Sequence, residues 1–127
     1  MTYYKMRVRI VRSPNKIKKF RAKLEDGTVV DFGASGYSNY TKHKNPSRMR
    51  AYVRRHGGYI PTSLSVETNP VKIQSRMLKI NRSDKENWGL NGIGTPGFWA
   101  RWYLWSYPSF AQVDKFMKRK FGITILR

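Results

Sequence analysis

The sequence predicts an α+β fold: a small antiparallel sheet, made of an N-terminal meander plus a C-terminal strand, packed with three to four short helices. Three observations predict it. Apolar and basic residues alternate with period two through the first quarter of the chain. Helix-start signatures containing proline recur from Asn45 onward. The chain closes on ITILR, which reads as a strand able to extend the N-terminal sheet.

Residues 3–12, YYKMRVRIVR, put Met6, Val8 and Ile10 on one side and Lys5, Arg7 and Arg9 on the other, the pattern of a half-buried strand. Ser13-Pro14-Asn15 has turn chemistry. Residues 17–24, IKKFRAKL, alternate again, with Phe20, Ala22 and Leu24 opposite Lys19, Arg21 and Lys23. Glu25-Asp26-Gly27 is a hairpin turn of the Asp-Gly kind, and residues 28–32, TVVDF, supply a third strand. The simplest product is an antiparallel meander with one apolar face.

Residues 33–44 read as a loop rich in Gly, Ser, Asn and Tyr. Asn45-Pro46 is an N-cap followed by the first helical residue, and this helix runs to Arg55 or His56 with Gly57 beyond its end. Met49, Tyr52, Val53 and His56 share one of its faces. Residues 57–69 form a connector, and Asn69-Pro70 opens a short helix over 71–80. Ser83 to Glu86 matches a capping box with little chain behind it to cap. After the Gly-rich loop 89–97, Thr95-Pro96 starts a third helix through FWARWYLW. Pro108-Ser109 starts a fourth that ends before Gly122, with Phe110, Val113 and Met117 inward. We read residues 1–127 as a single domain: β-meander 1–33, mainly helical 34–122, and C-terminal strand 123–127.

Charge dominates the composition. There are 26 Lys and Arg against 7 Asp and Glu, a net +19, which exceeds what solubility requires of a small domain. Both halves of the chain carry the excess, so the folded body is positive and no detachable basic tail accounts for it. Self-repulsion of this size points to a polyanionic partner: nucleic acid, an acidic protein surface or an anionic membrane surface. If the first two strands pair, Lys5, Arg7, Arg9, Lys19, Arg21 and Lys23 line one sheet face. Like charges facing each other across strands are destabilising. An anion would relieve that cost, although basic side chains also serve to protect a sheet edge. Arg48, Arg54 and Arg55 form a second set on the helix after Asn45, and the last two also suit a helix C-terminus.

The chain has no cysteine, which removes disulfides and thiolate metal sites. It shows no signal-peptide stretch and no apolar run of spanning length, so no transmembrane segment is expected. Membrane-surface binding ranks third, because no basic amphipathic helix or lipidation motif is present.

Four motifs could carry chemistry. Trp99, Trp102 and Trp105 fall at spacing three on one helix face, which fits core packing better than a base-stacking platform, with Arg101 able to lie on an indole. The loop 89–97 matches neither the phosphate-loop nor the dinucleotide pattern, so its glycines are read as turn formers. His43, Asn45 and His56 resemble the beginnings of a metal nuclease site, but no carboxylate brackets them and Asn45 is needed as a cap. The seven acids form no cluster that would converge on one pocket. These readings point to a protein that is not an enzyme and needs no cofactor or metal.

Three segments resemble a known family. KKFRAKLEDGTVVDFGASGYSNYTKHKNPSRMRAYVRRHGGYIP, ENWGLNGIGTPGFWARWYLW and KRKFGITI are similar to an uncharacterised family of small basic proteins of nucleocytoplasmic large DNA viruses. They cover most of residues 17–125, with GYSNYTKHK the most distinctive part. The resemblance implies a viral source and brings no catalytic residues. Two roles follow. The first is a virion structural protein of the minor-capsid type, located in the virion and in the host cytoplasm or viral factory during assembly. Its basic face would meet acidic capsid surfaces. The alternative is a viral DNA- or RNA-binding protein with little sequence preference, since no groove-reading or RNA-binding signature is present. The partners are thus capsid or other virion proteins, or nucleic acid. The oligomeric state is open.

Overall fold

The computed structural model describes residues 5–127. Its sheet has four strands in the order β3-β2-β1-β4, where β1 is Met6–Arg12, β2 Lys18–Lys23, β3 Val29–Ala34 and β4 Ile123–Leu126. Tyr3 and Tyr4 of the expected first strand lie outside the described residues, and Lys5 precedes the strand. The meander is antiparallel, with Ile10 opposite Ala22 and Ala22 opposite Val30. Its hairpin closes as the Asp-Gly turn predicts: Gly27 has φ 90° and Asp26 Oδ1 accepts the Thr28 N–H at 2.8 Å.

The α+β class holds, with one correction to the sheet. β4 pairs with β1 in parallel, Val8 opposite Ile125, so the sheet is mixed and not purely antiparallel. The cause is the connection. The last helix, α6 (Phe110–Phe121), packs against β4, and Gly122 at φ 69° turns the chain directly from helix to strand. That return delivers β4 along β1 in the same direction, and the Met6 N–H is bonded to the Gly122 carbonyl at 2.9 Å.

The four expected helices are all present. Asn45 caps α2 (Pro46–Arg55) by accepting from the Ser47 and Arg48 N–H groups. Asn69 does the same for α4 (Pro70–Met77), and Ser109 caps α6. α5 (Pro96–Trp99) starts under Thr95 and then widens into a π-turn over Ala100–Leu104. Two single-turn α-helices and a 3-10 turn at Leu90–Gly92 were not expected. α1 (Tyr40–His43) is capped by Asn39 within the predicted loop, and α3 (Thr62–Ser65) lies in the connector. β3 also runs past the expected boundary at residue 33.

The inner sheet face carries Val8, Ile10, Ala22, Val30 and Phe32, all buried. The aromatic segment covers it: Phe32 lies 5.9 Å from Trp99 and 5.6 Å from Tyr103, centroid to centroid. Trp99 and Trp102 are fully buried and Trp105 is 8% exposed, so the tryptophan stripe is core. Their indole N–H groups are satisfied inside it, Trp99 by the Ile93 carbonyl and Trp102 by the Trp88 carbonyl. The Gly-rich loop owes its composition to close approach more than to turn conformation. A Cβ at Gly92 would sit 2.1 Å from the Asn87 carbonyl oxygen, and one at Gly97 would strike the Glu86 side chain.

Candidate anion-binding surfaces

The cross-strand register groups the basic side chains as the alternation requires. Arg9 lies opposite Lys23, and Arg21 opposite Asp31, on the outer face of the sheet. Lys5, Arg7, Arg9 and Lys23 are exposed there or at its border. Arg9 Nη1 donates to the Arg127 carbonyl at 3.3 Å, and the other two members of the set are more fully engaged. Asp31 holds Arg21 through two hydrogen bonds of 2.8 and 3.0 Å, and that contact keeps the Asp31 carboxyl below its ordinary range. Lys19 donates from Nζ to the Tyr37 carbonyl and is half-buried. Burial and the nearby charge of Lys42 both push the Lys19 ammonium down.

Arg48, Arg54 and Arg55 are exposed on α2, as their positions on the helix predicted. Two of them, Arg48 and Arg55, share a cleft of about 440 Å³ with Lys18 and Lys19 of β2. This convergence was not visible in the sequence, since about thirty residues of chain separate the two walls. The single-turn α1 between them folds the intervening loop back, with Lys44 in the left-handed region at its end.

Aromatic rings line the cleft. Tyr52 stacks on Trp105 at 4.1 Å and 6° and on His56 at 4.0 Å and 26°. His56 Nδ1 is 3.1 Å from Glu86 Oε2, and Glu86 Oε1 accepts the Trp88 indole N–H at 2.9 Å. Burial works to raise the Glu86 carboxyl, but these hydrogen bonds outweigh it and hold it below its ordinary range. Glu86 is thus an ionised acceptor inside a cationic cleft. Ser83 does cap the following N–H groups, but Glu86 turns to His56 and Trp88 where a capping box would turn it back.

The other histidine is structural. His43 Nδ1 accepts the Asn45 N–H at 3.0 Å, and its ring lies 5.4 Å from Trp105. Its Nε2 therefore carries the proton, buried and without a partner. Burial and the charge of Arg48 push His43 down. Among the described residues, no group of three or more His, Asp or Glu is arranged to hold a metal ion. No helix of the described residues is long and apolar enough to cross a membrane.

Residues 8–56 match the model of DUF5754, a family of unknown function. The match runs from β1 through α2 and covers under half of the chain, yet it contains all four cations of the cleft. No curated protein and no solved structure matches this chain.

Proposed function

We propose that this chain is a non-enzymatic basic structural protein of a large DNA virus particle, of the minor-capsid type, docking its outer sheet face on an acidic capsid surface. The observation that carries the reading is the exposed set Arg7, Arg9 and Lys23: none of them has an ion-pair partner among the described residues. A sheet face with unneutralised charge complements an acidic surface, where such complementarity sets register and partner choice. The viral setting is supported by the resemblance of three segments within residues 17–125 to the large-DNA-virus family. The non-enzymatic reading is supported by the acids. Each of the seven is already engaged inside the chain, as Asp31 is with Arg21, Asp114 with Arg127 and Asp84 with Tyr59.

A second reading, viral nucleic-acid binding, is favoured by the cleft, where cations on two walls flank aromatic rings. One set of measurements separates the two. Purified protein is titrated against duplex DNA at several salt concentrations. The capsid reading expects no duplex binding at physiological salt and stoichiometric recovery from purified capsids. A log–log salt slope of ~0.9 per phosphate, summing to several phosphates, supports nucleic acid instead. The charge reversals R7E, R9E and K23E together abolish capsid association if the face is the dock. Arg21 is left out because its loss would strand Asp31.

A further inference from the structure

The cleft between β2 and α2 combines features that the outer sheet face lacks. Residues Lys18 and Lys19 of β2 and Arg48 and Arg55 of α2 all line it, with the Lys19 ammonium held by the Tyr37 carbonyl and the Lys18 charge acting on Asp31 of the outer sheet face. Its volume of about 440 Å³ lies in the range of ordinary small-ligand sites. Its lining includes the edges of the Trp105–Tyr52–His56 stack, whose middle ring is covered on both faces. Tyr37, 73% exposed, stands at the rim.

Glu86 decides what chemistry fits. A ligand that is only anionic, such as an acidic peptide or free phosphate, meets the Arg48 and Arg55 cations but also an ionised carboxylate. A ligand with both a phosphate and N–H donors on a flat ring can use each part: phosphate for the cations, ring for the aromatic lining, donors for the Glu86 acceptor. Nucleotides have this combination.

We propose that this cleft binds one nucleotide unit, the phosphate at the exposed Arg48 and Arg55 guanidinium groups of α2 and the base against His56 and Glu86. The unit comes from a free nucleotide or from a single strand. A duplex cannot supply it, because its bases are stacked away. The inference stands apart from the docking face, which uses other residues, so either can fail alone.

The test is a titration of the whole protein followed by amide NMR, with adenosine 5′-monophosphate, ribose 5-phosphate, hexaglutamate and oligo(dA) as probes. Adenosine monophosphate is expected to move the signals of Lys19, Tyr52, His56 and Glu86. It should bind about tenfold tighter than ribose 5-phosphate, the share expected of a stacked base. The double substitution Arg48→Gln and Arg55→Gln removes exposed charges only, and should weaken binding about tenfold without lowering the thermal midpoint. The wild-type signal map provides a measurement that needs no variant. Tighter binding of oligo(dA) than of the monophosphate supports the proposal with a single strand as source, and equal binding supports it with a free nucleotide. Equal affinity for adenosine monophosphate and ribose 5-phosphate, hexaglutamate binding as tightly, signals moving elsewhere, or no binding at millimolar probe would each overturn it.

Discussion

Arg101 is the least expected residue in the molecule. Its position within FWARWYLW suggests an arginine lying on an indole, and it does so while fully buried. Among the described residues, no carboxylate meets it. Its guanidinium donates to the carbonyls of Trp105, Met77 and Ile80 at 2.7, 2.6 and 3.1 Å and lies 4.4 Å from the Trp102 ring centroid. Met77 ends α4, so a helix C-terminus supplies part of the compensating negative potential. Burial pushes Arg101 down to about 9, which leaves it charged at neutral pH. Arg101→Met should strand three carbonyls and destabilise the fold by about 3 kcal/mol in urea unfolding. Arg101→Lys keeps the charge but cannot span three acceptors from a planar fork, and should also destabilise. A Met variant as stable as wild type would show that the aromatic core gains nothing from the cation.

Asp31 gives the residue scale its pH dependence. Its carboxyl is held low by Arg21, so this contact contributes stability above the unfolded-state value of about 3.9. That contribution is lost as pH falls through the lower folded value. Asp31→Asn should therefore lower the thermal midpoint at pH 7, and the gap to wild type should shrink as the pH falls below about 4. A gap that stays constant with pH would show that the Arg21 contact adds no pH-dependent stability.

At the scale of elements, caps did most of the specifying. Asn45, Asn69, Thr95 and Ser109 were legible because each is a short polar side chain ahead of a helix, and each accepts a backbone N–H as expected. Asn45→Ala should cost about 1 kcal/mol by denaturant unfolding and loosen the Arg48 wall of the cleft. What the sequence hid was non-local. Asn39 caps a helix of one turn, too short to leave a periodic pattern. The direction of β4 depends on where α6 lies, and a run of four strand residues cannot encode that. The π-turn at Ala100–Leu104 keeps both flanking tryptophans inside, although simple spacing places them on one α-helical face. The basic sheet face could be read from alternation, whereas the cleft could not, because its walls meet only through the fold of α1 and α2.

At the scale of the whole molecule, the +19 charge is mostly unneutralised. Only Arg21, Arg76 and Arg127 of the 26 Lys and Arg approach a carboxylate closely enough to pair among the described residues. Self-repulsion then opposes folding, and salt should relieve it. Raising salt from about 20 mM to about 300 mM should stabilise the protein by about 1 kcal/mol, a rise of about 4 °C in Tm for a chain of this size. A Tm independent of salt would mean the cations are too far apart to repel. The same unneutralised body is what an acidic capsid surface would bind. The direct test is to disrupt purified virus particles, digest the nucleic acid with nuclease and measure how much of this protein stays with the capsid shells. The docking account predicts that it stays, at a fixed ratio to the capsid protein. Release with the digested genome, or absence from the particles, would contradict it.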